Sequence, residues 1–581
     1  MKSIKLLSAL LCSTALLFSS CLDLEPKEKL ADSNIWETPE QYKLFANQFY
    51  AWLRGFNSVT SDGPHSDYRS DLMSGTTRSV YSNGTNTIPT EDANFTDAYS
   101  RLRQVNILLQ KAQTYATPKD IATSVGEAKF FRAYLYFDLL QLYGDALIVT
   151  DPLDISSPEL HMSRNARSEV ADFIIQDLKD AIDAPLPSAK SLAGSGRVSL
   201  EAAQAFLSRV ALYEGTWQKF RVGDPERAKE LLQMAKDYAY EVIKSSNYSL
   251  FKSESLGTEA YKYLFVLEDV QCTPAPEINK SSNKEYILKK EYDTNVSGGS
   301  LSSNPSGSFF GKTSFVTRKF ANMFLTAEGL PVNTADANLY ATTTSEYENR
   351  DNRMSNLMII PGRPYWTTAK GRSSWKEDET DLKLAFVQSF SPNASSGYFI
   401  QKWNAERQIN GYPGFDFPVI RYAEVLLNYA ESVYELCESN GNAASSEVTE
   451  ALNISLNLVR RRINPDMPPL TVEFVGQHGL DMRQEIRRER TIELFHEGFR
   501  MDDLKRWNTA KDEMPQNLLG VKYDGTAYET SWRDMNRETD TNGCIIMESG
   551  RKWEEKHYLY PLPIEQLQLH PELKQNPGWG E

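Results

Sequence analysis

Helical periodicity dominates this chain and most constrains its fold. Apolar residues recur every three or four positions in one segment after another. The clearest stripes are Leu102, Val105, Leu109 and Ala112; Ala128, Phe131, Leu135, Leu139 and Leu142; Phe173, Ile174, Leu178 and Ile182; Ala203, Phe206, Val210 and Tyr213; Ala228, Leu231, Ala235, Tyr238 and Val242; and Ile420, Ala423, Leu427, Ala430 and Tyr434. An amphipathic helix cannot bury its stripe alone, and stacked pairs, as in an α-solenoid, would bury it. No strict repeat of about 34 residues is present, so periodicity alone predicts only paired helices.

Two long segments interrupt the helical pattern. Residues 55–97 are rich in Gly, Ser, Thr, Asn and Asp, and residues 251–415 combine frequent Pro, Gly, Ser and Asn with short strand-like pieces. Long aperiodic segments inside a folded chain are often functional. The sequence therefore divides into an N-terminal helical region (39–250) that contains the 55–97 loop, an irregular insertion (251–415), and a C-terminal helical region with its tail (416–581).

The N-terminus has the pattern of an export signal. Lys2 and Lys5 precede an apolar stretch over 6–18, which is too short to span a bilayer as a stable helix. The small residues before Cys21 are similar to a bacterial lipobox, whose cysteine becomes the lipidated first residue. We predict a lipoprotein signal peptide over 1–20 and a lipidated tether over 21–38, with acyl chains on Cys21 that hold the protein on a membrane.

Composition excludes several classes of function. The net charge of −15 disfavours nucleic acid as a partner, because an acidic surface repels phosphates. Six His in 581 residues leave little material for His-based metal sites. The five Cys contain no CxxC pair and no disulfide framework. The HExxH and GxSxG motifs of hydrolases are also absent.

Five blocks along the chain resemble those of the SusD/RagB nutrient-binding lipoproteins. They are RAYLYF and LYGD over 132–137 and 142–145, RDNR over 350–353, RYAEVLLNYAE over 421–431, the ER, EL, EGFR and DLKRW pieces of 489–507, and YPLP with QNPGW over 560–563 and 575–579. In the last block Trp579 stands where the family pattern has Tyr. The chain is therefore identified as a member of this family by blocks that extend over almost its whole mature length.

The resemblance implies a mainly α fold, a TPR-like α–α superhelix of about four helix pairs with large loop-rich insertions. It also implies a nutrient receptor of the outer membrane, anchored by lipid and facing the cell exterior, that hands its ligand to a SusC-like TonB-dependent transporter. The ligand is expected to be an oligosaccharide or another nutrient, held by the loop after the first helix together with the insertion. No cofactor is implied.

The charged blocks predict support of the fold and not catalysis. A charged helix is predicted over about 483–495. Glu489, Glu493 and Glu497 are spaced by four residues and would line one helix face if the helix continued, with Arg490, Arg500 and Arg506 as their expected partners. A carboxylate active site is the alternative. A partly buried ion-pair network is preferred, because buried charges need partners and both signs occur within this block.

A sugar site needs ring faces and fixed polar groups. The candidate ligand-binding residues are Tyr68, Arg78, Tyr81 and Asn83 in the 55–97 loop and Tyr292, Trp366 and Trp375 in the insertion, with Trp366 and Tyr81 preferred as platforms. The acidic string of Glu538, Asp540, Asn542, Gly543 and Glu548 is similar to a calcium loop, but its last acid lies one residue short of the EF-hand position.

Two other functions remain open at this stage. A surface glycoside hydrolase needs two carboxylates across a cleft, and nothing in the sequence favours such a pair. A helical-repeat scaffold that binds only protein is the second alternative. The long polar loops that carry aromatic residues argue against a pure scaffold. We therefore predict a binding protein and not an enzyme.

Overall fold

The computed structural model describes residues 36–580 apart from 155, 195, 269–272, 276, 294–295, 297–300, 302–313, 361–395, 405–412 and 532–536. The helices of seven or more residues are α1 (Pro39–Ala46), α2 (Ala93–Ala112), α3 (Ala122–Tyr143), α4 (Arg167–Asp183), α5 (Leu200–Trp217), α6 (Pro225–Ser245), α7 (Tyr422–Ser439), α8 (Ser446–Asn453), α9 (Val472–His478), α10 (Met482–Glu493) and α11 (Arg500–Arg506). Shorter helices are Phe56–Thr60, Lys190–Ala193, Ala260–Tyr263, Arg318–Met323, Arg353–Leu357, Leu456–Arg460, Ala510–Glu513, Ala527–Ser531 and Ile564–Leu569. The predicted mainly α fold is confirmed.

The long helices form a continuous array. Each helix from α2 to α6 packs against the next, and α6 packs against α7 although the residues 246–421 separate them in sequence. The predicted stripes are buried except for Ala112, Phe173, Ile182 and Tyr238, which are half-buried. α3 and α5 are buried on nearly all sides because they have neighbours on both flanks. No helix in the described part of the chain is long and apolar enough to cross a membrane.

Two predicted helix boundaries differ from the structure. The sequence places Tyr42, Phe45, Phe49 and Trp52 at helical spacing on one predicted first helix, but α1 ends at Ala46 and a 3₁₀ helix (Asn47–Trp52) follows it. Phe49 stays fully buried, whereas Trp52 is only half-buried. The predicted helix over 483–495 also ends early, at Glu493. His496 then takes a φ of 60°, which no α-helix allows, so Glu497 lies beyond the helix.

The described residues form three two-stranded antiparallel sheets, two of which join the irregular segments to the rest of the fold. The strands are β1 (Met73–Gly75), β2 (Tyr286–Lys290), β3 (Ser314–Val316), β4 (Phe417–Arg421), β5 (Leu518–Lys522) and β6 (Cys544–Glu548), paired as β1–β3, β2–β4 and β5–β6. In the first pair Ser74 lies opposite Phe315, so the 55–97 loop is joined to the insertion. The second pair joins the insertion to α7, because β4 leads directly into that helix.

The charged blocks form a buried ion-pair network, as predicted, but with other partners. Its carboxylates are Glu285, Asp351, Glu489, Glu493 and Glu497, and its cations are Arg353, Lys402, Arg421, Arg460 and Arg462, each side chain at most 1% exposed. The arginines predicted as partners bind elsewhere: Arg490 to Asp503, Arg500 to Asp71, and Arg506 to Glu431 and Asp503. The predicted pairing was wrong because it relied on proximity in sequence. In the folded protein, the short helices and β4 bring other cations closer to these glutamates.

Acid should weaken the fold through Glu431 of α7. Burial alone would raise the pKa of this carboxyl, but the charge of Arg506, together with hydrogen bonds from Arg506 and the Trp507 indole, lowers the pKa to about 2. A depressed carboxyl pKa gives stability that is complete above the ordinary value of 4.5 and is lost as the pH falls towards 2. We expect the urea midpoint to fall between pH 5 and pH 3, and Glu431→Gln, although less stable at pH 7, should show a shallower fall. An equally steep fall in the variant contradicts the assignment.

Candidate ligand-binding site

A cleft of about 380 Å³ opens where the 55–97 loop meets the insertion, a size that suits a small ligand. We call it the Tyr292 cleft. Its walls come from the end of the 3₁₀ helix, the start of the loop, one face of α2 and one of α3, and the end of β2. The residues that line it are Ala51–Gly55, Asn57, Ser58, Gly63–His65, Ala93, Asn94, Asp97, Ala98, Arg101, Leu135, Asp138, Leu142, Lys290 and Tyr292.

Phe56 fixes the loop against the insertion. It is 3% exposed, and its ring lies 5.0–5.7 Å from the rings of Tyr292, Trp403, Phe415 and Phe417. The neighbouring Gly55 permits the close approach, since a Cβ atom there would lie 2.6 Å from the Tyr292 hydroxyl oxygen. Aromatic packing and a glycine contact therefore set the position of Tyr292 at the cleft.

A chain of hydrogen bonds forms the polar base of the cleft. Arg54 Nη2 donates to Asp138 Oδ1 at 2.5 Å and to His65 Nε2 at 3.0 Å. Since His65 Nε2 accepts this bond, its proton lies on Nδ1, which donates to Asp502 at 2.7 Å. Burial would lower the pKa of Arg54, but Asp138, Tyr134 and Asp502 together outweigh burial and raise the pKa. The guanidinium stays charged and orients the Asp138 carboxylate, whose side chain is 31% exposed.

The rim combines aromatic and polar side chains. Trp52 and Tyr292 are half-buried, and Asn57 and Asn94 are exposed. On α2, Asp97 and Arg101 form a surface ion pair at 3.2 Å. Ring faces pack against the CH face of a sugar, while amides, carboxylates and guanidinium groups bind its hydroxyls. Both acids of the cleft are paired with a cation, which favours binding over general-acid chemistry.

The groove continues on the other side of Tyr292. A second cleft of about 530 Å³ is lined by Tyr292, Lys190, Lys280 and Lys289, and also by Ser191, Gly196, Ser281, Glu291 and Asp293. Behind it, Asp416 accepts hydrogen bonds from Lys280 at 2.8 Å, Lys289 at 2.6 Å and the Tyr292 backbone N–H at 3.0 Å. Tyr292 therefore stands between two clefts, and an extended ligand can cross its ring.

A larger cleft of about 620 Å³ lies beside β3 and β5. Two of its cations are already neutralised: Lys319 pairs with Asp71 at 2.8 Å and with Glu513, and Arg318 lies 3.7 Å from Glu346. No aromatic ring is among the described residues that line it. The Tyr292 cleft fits a sugar better, since it offers both ring faces and polar groups.

The structure separates the predicted site residues. Tyr292 lines the cleft, but Tyr68 is partly buried against the core and Asn83 is 7% exposed, its Oδ1 held by Thr85. Arg78 donates to the Ser549 carbonyl oxygen, and Tyr81 stacks on Tyr560 with ring centroids 5.1 Å apart. This part of the loop docks on the C-terminal segment, so Asn83 supports the loop and is not presented to a ligand. Trp366 and Trp375 lie outside the described residues, as does Cys21.

Several residues of the cleft were missed by sequence reasoning. Trp52 was assigned to the apolar stripe of the first helix, but the 3₁₀ turn leaves it half-exposed at the rim. Asp97 and Arg101 are spaced by four residues on the polar side of α2, a signal that the sequence does contain. Asp138 lies on α3 among apolar residues, and a charge there was the available clue to a site.

The acidic string near the C-terminus forms a hairpin. Asp540 Oδ1 accepts hydrogen bonds from the backbone N–H of Asn542 at 2.9 Å and of Cys544 at 2.8 Å, and Glu548 faces Arg78 and Arg551. Within the described ranges, no group of three or more His, Cys, Asp or Glu side chains is arranged to hold a metal ion. A solvated loop is the preferred interpretation of this string from the sequence, and the alternative of a calcium loop stays untested.

The fold and cleft define a helical-repeat protein whose candidate binding site lies mainly on loops. Residues 279–579 match the model of the SusD family, and residues 22–212 match a second model, described as starch-binding associating with outer membrane. The chain belongs to the SusD family, as the five sequence blocks predict.

Relatives and solved structures agree with this assignment. A SusD-like protein of Formosa agariphila is 24% identical over 88% of this chain and 93% of its own length. A SusD-like protein of Bacteroides fragilis shares the fold with a TM-score of 0.71 at 21% identity, over 95% of this chain and 99% of that one. A second B. fragilis structure, described as a SusD-like carbohydrate binding protein, gives 0.70 at 19% identity, over 93% and 100%.

Proposed function

We propose that this protein binds an oligosaccharide at the Tyr292 cleft and does not cleave it. One observation carries the proposal: the half-exposed rings of Trp52 and Tyr292 border a cleft whose polar base is fixed by the Arg54–Asp138 pair. The description of the matching family as starch-binding and the carbohydrate-binding description of a B. fragilis relative support a sugar as ligand.

The cellular role extends this proposal. Acyl chains on Cys21 would hold the protein on the outer membrane with the cleft towards the exterior. The protein would then deliver the sugar to a SusC-like TonB-dependent transporter. A tethered receptor needs only modest affinity, because the high local concentration at the transporter adds retention.

Cys21→Ser should release the protein from the membrane fraction, and purification of the lipidated protein in mild detergent should recover a large barrel protein.

Removal of the two rings tests the binding site. In the soluble form that begins at residue 22, Trp52→Ala and Tyr292→Ala should each weaken affinity about 10-fold, since a buried ring contact contributes about 1–2 kcal/mol. Affinity electrophoresis on a panel of polysaccharides, followed by calorimetry on the one retained, measures the loss. Tyr240→Ala is the matched control, because Tyr240 is also exposed but lies on α6, stacked on Tyr429.

Three outcomes would reject parts of the proposal. Wild-type affinity in the Trp52→Ala, Tyr292→Ala double variant would place the ligand elsewhere. Release of shorter sugars by the wild-type protein would make it a hydrolase. No retention on any polysaccharide, together with recovery of a protein partner, would favour a protein-binding scaffold.

A further inference from the structure

A small cavity lies between the 55–97 loop and the C-terminal segment, apart from the Tyr292 cleft. The residues that line it are Tyr81, Asn86, Met501, Lys505, Trp553, His557 and Tyr560. The centre of a water-sized sphere can move within about 10 Å³ of this cavity, so the cavity has room for one small ion or molecule. No carboxylate is among the described residues that line it.

Lys505 brings a positive charge to this cavity without a partner for it. The side chain belongs to α11 and is 1% exposed, and its ammonium nitrogen makes no hydrogen bond within the described structure. The ammonium nitrogen lies over the face of the Tyr560 ring, 4.8 Å from the ring centroid. Asp502 attracts it electrostatically, but that carboxylate is hydrogen-bonded to His65 at 2.7 Å and forms no ion pair with Lys505. A buried ammonium without a partner is costly.

Other cations increase this cost. Burial lowers the pKa of Lys505 to about 8 despite Asp502, and Arg69, Arg167 and Arg221 act in the same direction as burial. Each of these arginines forms an ion pair with its own acid, Asp62, Glu214 and Glu555 in turn, so Lys505 is the one of these four cations that no ion pair in the described structure neutralises, and a bound anion would do so.

His557 supplies a second donor. Its Nδ1 accepts a hydrogen bond from the Glu554 backbone N–H at 2.8 Å, so the ring proton lies on Nε2. Nε2 is buried and has no hydrogen-bond partner in the described structure. Three residues that line this cavity, Lys505, His557 and Trp553, thus carry side-chain N–H groups without a hydrogen-bond partner in the described structure, and the Lys505 group is charged. A water molecule can accept hydrogen bonds from such groups but cannot neutralise the ammonium, whereas an anion does both.

We propose that this cavity binds a monatomic halide, chloride under ordinary conditions, held by Lys505 and His557. The ion would join the loop, through the turn that carries Tyr81 and Asn86, to α11 and the C-terminal segment. The site is independent of the proposed sugar binding. Its effect is on how firmly the loop is held.

Halide-specific stabilisation tests the site. The melting temperature of the wild-type protein should rise saturably with sodium chloride above its value in sodium gluconate of equal ionic strength, by on the order of 1–3 °C. Lys505→Met fills the same space without charge and should abolish the difference. Lys119→Met, at an exposed position, should retain it. Equal melting temperatures of the wild type in the two salts overturn the proposal.

Crystallography of the unaltered protein gives a test that does not depend on a variant. Crystals grown in sodium bromide should show an anomalous peak within hydrogen-bond distance of Lys505 Nζ and His557 Nε2. A peak of ordinary electron density at this position without anomalous signal identifies a water molecule and rejects the halide. If Lys505→Met folds poorly, His557→Phe removes the second donor and should still weaken the chloride effect.

Discussion

Arg421→Met is expected to destabilise the folded protein by about 3–5 kcal/mol, the range for a buried ion pair that loses one partner. Arg421 is 1% exposed and donates to Glu497 at 2.7 and 2.8 Å, to Glu493 at 2.7 Å and to Glu285 at 2.8 Å. The network contains five carboxylates and five cations, all on described residues. Loss of Arg421 leaves one buried negative charge in excess, with no water to solvate it.

Urea unfolding at pH 7 measures this loss. Arg227→Met is the matched control, because Arg227 also pairs with two acids, Asp172 and Glu230, but those acids are 61% and 58% exposed. It should cost at most about 1 kcal/mol. The double variant Arg421→Met, Glu493→Gln should be less destabilised than the sum of its single changes, since it removes a charge of each sign. A loss below 1 kcal/mol for Arg421→Met contradicts the role of the network.

Phe56→Ala is expected to cost about 3–5 kcal/mol and also to abolish sugar retention, since a large buried ring is removed from the centre of an aromatic group. Tyr292 packs on Phe56 at 5.7 Å, and Trp403 packs edge-on at 5.0 Å. Without Phe56 the loop keeps its β1–β3 pairing but loses its aromatic contact with the insertion beside the cleft, so the two walls of the Tyr292 cleft are no longer held in place. We therefore expect Phe56→Ala to lower both the free energy of unfolding and the affinity for sugar.

Phe206→Ala separates the two effects. Phe206 is 1% exposed on α5 and packs on Phe130, Tyr134 and Phe137, so its loss should cost a similar free energy within the helical array. Affinity electrophoresis well below the melting temperature should show retention by Phe206→Ala and none by Phe56→Ala. Equal retention by both variants would mean that Phe56 does not position the cleft.

The helical array is where sequence reasoning succeeded. A period of 3.6 residues is a local property, and each stripe identifies the face that a helix buries without knowledge of its neighbours. The ends of two helices also follow local rules that can be applied to the sequence alone. Ser199 caps α5 by accepting from the Ala202 N–H, and Gly144 ends α3 with a φ of 76°. The family blocks added the fold, because their order along the chain is itself a sequence property.

Long-range pairing is where sequence reasoning failed. The nearest arginines in sequence were taken as partners of Glu493, but its partners Arg421 and Arg462 arrive from β4 and from the segment after the Leu456–Arg460 helix. Tyr81 was chosen as a platform because it lies in a polar loop, and packing on Tyr560 engages it instead. Local composition indicates which side chains can make a contact, but it does not identify the residue that the tertiary structure packs against them.

The sequence by itself determined the mainly α fold, the family and the segments that carry the candidate site, because periodicity and motif order are written along the chain. Only the tertiary structure decided which rings border a cleft, which cations answer the buried glutamates, and that Lys505 faces a cavity without a carboxylate. Those outcomes depend on how residues from distant segments pack, and close packing in three dimensions leaves no local trace in the sequence.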